Sequence, residues 1–225
     1  MLLIRAVVFD IDGTITNDKK QLQPLAMTSL RRLQNQGIPV MIASGNVLPV
    51  AMGLSSLVGT KGPIIAENGG LVCYQERIFK LQSLELPLQA WAYLKERMPE
   101  AERLFTDNWR QTEVALRRSL DLERVRAILK DFPVQIEATG FAIHIMEPGH
   151  SKLKGIRKAC ELIGVDVSEV AAFGDADNDV EMLSGVGFGI AVGNASARAK
   201  AAAHYVAEHK HARGVQEGLR YLGLL

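Results

Sequence analysis

Asp10 and Asp12 stand two residues apart where an apolar run stops, in the stretch RAVVFDIDGTIT at residues 5–16. In extended backbone, residues i and i+2 point the same way, so both carboxylates can face one small volume. Two like charges that close need a cation or a proton, and a hard divalent ion such as Mg²⁺ meets that need with oxygen ligands. Asp12-Gly13 alone also reads as the tight turn of a hairpin. The residues that follow, Ile15 to Lys20, are not a second alternating strand and lead towards a helix, so the stretch reads as strand, acidic turn and helix.

Two more apolar runs end in polar residues. Ile38 to Ala43 runs into Ser44-Gly45-Asn46 ahead of a helix with Pro49 in its first turn; free N–H groups beside a hydroxyl and an amide form a phosphate cradle, although Ser44 or Asn46 could serve merely as helix caps. Val170 to Phe173 runs into Gly174-Asp175-Ala176-Asp177-Asn178-Asp179. The acids at alternate positions are not a helix-loop-helix calcium loop, because Val180 and Val186 stand where that loop needs Gly and Glu, and a strand precedes it rather than a helix. Gly185 to Gly189 lacks the third glycine of a dinucleotide loop.

These ends need a sheet to bring them together. A stripe at Leu22, Leu25, Ala26, Leu30 and Leu33 predicts a helix over 22–36 that stops at Gly37, and a further helix over 152–163 stops at Gly164. Strands are expected at 63–66, 186–192 and 203–206, with a hairpin over 71–81. Between 82 and 150 the texture changes to helices and alternating segments, including strands at 134–137 and 141–146. The expected fold is α/β, a Rossmann-like, doubly wound and mostly parallel sheet, with a core split into residues 1–81 and 151–225 and a small α+β insert at 82–150. The carboxyl ends of parallel strands share one edge, so Asp10, Ser44 and Asp175 can converge.

The composition excludes several classes of partner. Lys and Arg total 26 against 25 Asp and Glu, a formal charge of +1, so no global field steers the 225-residue chain to nucleic acid or to an anionic membrane. Cys73 and Cys160 are far apart in sequence and are expected as reduced, packed thiols. No run reaches membrane-spanning length, and MLLIRAVVFDIDG is broken by Arg5 and has no basic leader, so a cytoplasmic protein is expected, as a monomer or homodimer.

Taken in order, DIDGTIT at Asp10, ASGN at Ser44, a lysine at Lys152 or Lys154, and GDADND at Asp175 resemble the four motifs of haloacid dehalogenase-superfamily phosphatases. An insert between the second and third motifs resembles the Cof-type subclass, and the short insert with ASGN is most similar to archaeal phosphoglycolate phosphatases. The resemblance implies that Asp10 is a nucleophile forming an aspartyl-phosphate and that Asp12 is the acid and base. It implies Mg²⁺ held by Asp10, the main-chain carbonyl of Asp12 and Asp175, with Asp179 either binding the ion directly or ordering its ligands, and with Asn178 ordering that shell. It also implies phosphoryl binding by Ser44, Gly45 and Asn46, with Lys152 neutralising charge in preference to Lys154. The substrate so implied is a small phosphorylated metabolite, 2-phosphoglycolate first and a sugar phosphate next, with phosphotransfer as a neighbouring activity.

Other polar residues carry weaker expectations. Arg110, Arg117 and Arg118 are candidates to bind a substrate carboxylate, against the plainer reading of an exposed strand face. His144 is a candidate to face substrate, against the plainer reading of a partly buried packing histidine, and Glu208-His209-Lys210-His211 reads as solvated surface. A phospho-receiver module also gathers acids at strand ends, but it must preserve its aspartyl-phosphate, and Asp12 is placed to activate water.

Overall fold

Strand β1, Ala6–Asp10, is buried along its whole length, as an apolar strand without alternation must be when both faces are covered. Its side chains alternate between two cores: Ala6 and Val8 join one cluster, Val7 and Phe9 the other. The structure, a computed structural model, describes residues 3–225; the first two residues of the expected core segment lie outside them.

After β1 come α1 (Pro24–Asn35), β2 (Val40–Ala43), α2 (Leu48–Val58), β3 (Ile64–Ala66), and the hairpin β4 (Leu71–Tyr74) and β5 (Arg77–Lys80). Helix α1 starts later than its apolar stripe, because Leu22 is drawn into an antiparallel bridge with Thr16 and Pro24 occupies the first turn, where its missing N–H costs nothing. The chain then forms α3 (Glu85–Arg97), β6 (Glu113–Arg117), α4 (Leu122–Ile128), β7 (Gln135–Ala138) and β8 (Ala142–Met146). It closes with α5 (Lys152–Ile163), β9 (Val170–Gly174), α6 (Val180–Gly185), β10 (Phe188–Ala191), α7 (Ala197–Ala202), β11 (Tyr205–Val206) and α8 (His211–Tyr221).

The main sheet has 8 strands in the order β11-β10-β9-β1-β2-β3-β4-β5. From β11 to β3 neighbouring strands are parallel, and the β4–β5 hairpin extends the sheet antiparallel. Helices α1 and α8 cover one face through Leu30, Leu33, Val215 and Leu219. Helices α5, α6 and α7 cover the other through Ile156, Cys160, Leu183 and Ala199. The chain grows from β1 through β2 and β3 in one direction and later through β9 and β10 in the other. The order therefore reverses between β1 and β9, and the crevice at the carboxyl ends there is where such sheets hold ligands.

The inserted layer is an antiparallel 3-stranded sheet, β6-β8-β7. Period-two alternation sorts its side chains: Val114, Leu116, Ile143 and Ile145 pack against Leu94 of α3 and Val125 of α4. Glu113 and His144, at the intervening positions, face the core instead, and Glu113 accepts a hydrogen bond from Asn68, just past β3. The α/β fold with an α+β insert expected from the sequence is thus the fold observed. Missing from the expectation was the short 3-10 segment Phe105–Trp109 leading to β6.

Candidate active site

Asp10 ends β1, is only 5% exposed, and opens a tight turn whose Gly13 sits at φ +90°. A Cβ at Gly13 would both strain the backbone and collide with the Asp175 carboxylate, so the residue must be glycine for β1 and β9 to bring their acids together. Thr16 Oγ1 accepts the Gly13 N–H at 3.0 Å and donates to the Ile11 carbonyl at 3.0 Å. The Gly13 carbonyl accepts from Asn194 Nδ2 at 2.9 Å and from His211 Nδ1 at 2.7 Å. Four hydrogen bonds from three side chains pin the turn rather than leaving it a free loop.

Carboxylate oxygens of Asp10, Asp175 and Asp179 lie within 4.8 Å of one another. Lys152, at the start of α5 and 1% exposed, donates to Asp10 Oδ1 at 2.5 Å and to Asp179 Oδ1 at 2.7 Å. Asp179 Oδ2 accepts the N–H groups of Asp175 (2.9 Å) and Ala176 (3.0 Å), so both its oxygens are committed. Asp175 accepts from Thr14 at 3.1 Å and more distantly from Asn194 at 3.3 Å. Asp10 Oδ2 is buried with no partner.

The electrostatics follow from one ammonium among three acids. Burial, together with the charges of Asp179 and Asp175, raises Asp10 despite the opposing pull of Lys152. Burial and the Asp179 charge push Asp175 up to about 7. Burial alone would lower Lys152, but Asp10 and Asp179 outweigh it and hold the ammonium protonated. A hard divalent cation fits this donor set: the ligands are carboxylate oxygens, one buried oxygen lacks a partner, and the excess negative charge is uncompensated. The Asp12 carboxylate is not part of that group and instead accepts from Asn46 Nδ2 at 2.8 Å.

Ser44 follows β2 and is 1% exposed; its Oγ accepts the Asn46 N–H at 3.0 Å. Asp10, Asp12, Gly45, Asp175 and Asn178 line a cavity of about 290 Å³ that Thr139, Gly140 and Phe141 of the inserted layer roof over. Asn178 donates to Asn68 at 3.0 Å, which ties the β9 loop to the β3 end. The structure therefore brings together Asp10, Lys152, Asp175 and Asp179, and beside them Asp12, Ser44, Gly45, Asn46 and Asn178. Lys154 turns outward to Gln82 at 3.0 Å.

The expectation for the arginines does not survive at Arg110. It is buried, ion-paired to Glu113, and donates to the Gly45 carbonyl at 3.0 Å, so its guanidinium serves the interface between layers. Arg117 is exposed and paired with Glu102 at 2.6 Å, and Arg118 donates to the Thr139 carbonyl at 3.2 Å. None of the three lines the cavity. His144 is the buried packing histidine expected, 3.0 Å from Glu113. The reading of residues 208–211 as solvated surface fails at His211, which is 8% exposed and packs its ring against the Gly13 carbonyl. Thr14, Asn68, Glu113 and Asn194 were not singled out either; only the polar end of β3, Glu67-Asn68, left a visible signal.

Comparison with known proteins places this geometry. The family model for haloacid dehalogenase-like hydrolases matches residues 7–104 and 106–219. A phosphoglycolate phosphatase of Methanothermobacter thermautotrophicus is 37% identical over 96% of this chain and 98% of its own length. One of Methanosarcina acetivorans is 38% identical over 97% of this chain and 96% of its own. Among solved structures, a Thermoplasma acidophilum protein superposes with a TM-score of 0.91 at 25% identity, covering 99% of this chain and 100% of that one. A subclass IIB sugar phosphatase of the superfamily shares the fold, with a TM-score of 0.82 at 19% identity over 98% of this chain and 100% of that one. With a family match over nearly its whole length, and that family's ordered acidic strand ends meeting in one crevice, the chain belongs to the haloacid dehalogenase-like hydrolases.

Proposed function

We propose that the chain is a Mg²⁺-dependent phosphomonoesterase that converts 2-phosphoglycolate to glycolate and phosphate. The observation that carries the reading is the buried Asp10 carboxylate at the cavity wall: Lys152 holds one oxygen, and the other is buried without a partner. The substrate is taken from the curated relatives, which match over nearly the full length of both chains.

Asp10 attacks phosphorus through its unpartnered oxygen, and the bond from phosphorus to the leaving oxygen breaks. Asp12, oriented by Asn46, gives its proton to that oxygen. Water then attacks the aspartyl-phosphate, Asp12 takes a proton from it, and phosphate leaves as Asp10 is regenerated. Ser44, Gly45 and Asn46 hold phosphoryl oxygens, and Lys152 aims Asp10 by holding one of its oxygens. Asp10, Asp175 and the Asp12 carbonyl would hold Mg²⁺; Asp179, with both oxygens committed, and Asn178 would order that shell. The ion would offset the repulsion between phosphate and carboxylate.

The insert at 82–150 acts as a cap that excludes water from the site. No helix among the described residues is long and apolar enough to cross a membrane; with a formal charge of +1 and buried free thiols, we read a cytoplasmic monomer or homodimer that acts without nucleic acid. The test is a screen of phosphate release from small phosphomonoesters. Turnover of 2-phosphoglycolate should stop in chelator and return with Mg²⁺. Full activity in excess chelator contradicts the metal, and preference for a sugar phosphate contradicts the substrate.

A further inference from the structure

Resting on the substrate class proposed above, we infer that Lys20 is the residue that recognises the substrate's non-phosphorylated end, its ammonium meeting a carboxylate at the rim of the cavity. The cavity is strongly acidic on the side of Asp10, Asp12 and Asp175, and Lys20 is the sole cation among the side chains that line it. A substrate carrying a carboxylate close to its phosphate must place that second anion near acids that repel it, and a cation in the cavity lining is what makes the placement favourable.

The loop that carries Lys20 is built to present it. Thr16 and Leu22 close the loop by a backbone bridge. Inside it, Asn17 Oδ1 accepts the N–H groups of Lys19 and Gln21, each at 3.0 Å, and the Asn17 carbonyl accepts that of Lys20 at 2.8 Å. Lys20 is held at φ +58°, a left-handed conformation that a lysine seldom adopts unless its surroundings impose it. Asp18, the adjacent acid, is turned to His211 Nε2 at 3.3 Å instead of to Lys20. Among the described residues no carboxylate pairs with Lys20. Its Nζ rests instead 4.7 Å from the centre of the Phe141 ring, on the loop the cap extends over the cavity. A ring face positions an ammonium without neutralising it, so the charge remains available to an anion. The same contact joins core and cap, so recognition of the carboxylate and closure over the site share one side chain.

The test compares 2-phosphoglycolate with 2-hydroxyethyl phosphate, which has the same phosphoryl group and a tail of similar size without the charge. Wild type should favour the carboxylate. Lys20→Met should lower kcat/KM for 2-phosphoglycolate roughly tenfold to a hundredfold, as loss of a charge-assisted hydrogen bond does, and change that for 2-hydroxyethyl phosphate less than about threefold. Lys20→Arg should keep the preference. Because both substrates use the same reacting groups, a folding defect lowers both rates and leaves their ratio unmoved. If wild type prefers the carboxylate and Lys20→Met keeps that preference, the Lys20 assignment is overturned while the substrate reading stands. If wild type shows no preference, the substrate reading fails, and the assignment with it.

Discussion

The molecule buries two charged clusters, one at the cavity and one joined to its wall through Asn68 and Asn178, and they handle charge in opposite ways. Under the cap, the Glu113 carboxylate is met by Arg110, His144 and Asn68. Burial works against that carboxylate, but the His144 and Arg110 charges outweigh it and hold it well below the usual carboxylate range. In the crevice, Asp10 and Asp175 are pushed the other way, because one ammonium faces three acids. A balanced buried cluster fastens two layers together, whereas an unbalanced one is held ready for a cation and an electrophile. Burial is common to both; the uncompensated charge separates them.

The contrast breaks most severely at Asp10. Asp10→Asn keeps the shape and removes the proposed nucleophile, so turnover should fall by at least about four powers of ten with little loss of stability. A loss of only a few fold, read by phosphate release, would make Asp10 a spectator. In the balanced cluster the roles reverse. Arg110→Ala leaves Glu113 buried without one of its charged partners and should cost about 3–5 kcal/mol of stability in chemical denaturation; the folded fraction should still hydrolyse substrate.

The smallest effect concerns pH. Asp175 has a folded value of about 7 against an ordinary 3.8. Its contribution to stability is therefore full below 3.8 and is lost as pH rises through about 7. A cation that replaces the proton restores it, so the rise in Tm on adding Mg²⁺ should be larger near about pH 8 than near about pH 5.5. A rise independent of pH would mean that the ion binds elsewhere.

Much of the crevice was legible because a parallel sheet converts sequence order into a common edge: apolar runs that stop at Asp10, Ser44 and Asp175 must end side by side. Lys152 was separable from Lys154 only through the family's helix-start pattern; the structure adds that one faces Asp10 and the other Gln82. The fastening cluster was not legible, since Glu113 reaches Asn68 across 45 residues and Arg110 reaches Gly45 across 65. In sequence, an arginine beside an alternating segment looks like an exposed strand face. His211 was misread for a similar reason: nothing local shows that the Gly13 carbonyl lies against it. Lys20 was not singled out, because the contact that places it is with Phe141, far along the chain in the cap.

The central claim is that the nucleophile, Asp10 of the unbalanced cluster, and its acid-base partner, Asp12 beside that cluster, are separate residues, and trapping the phospho-enzyme tests it directly. Asp12→Asn, mixed with Mg²⁺ and a phosphomonoester whose leaving group needs no proton, then quenched in acid and digested, should yield one peptide heavier by a single phosphoryl group at Asp10. The adduct should be absent from the Asp10→Asn variant. A phosphoryl group found on any other residue, or none at all while Asp12→Asn still turns over at the wild-type rate, would contradict the account.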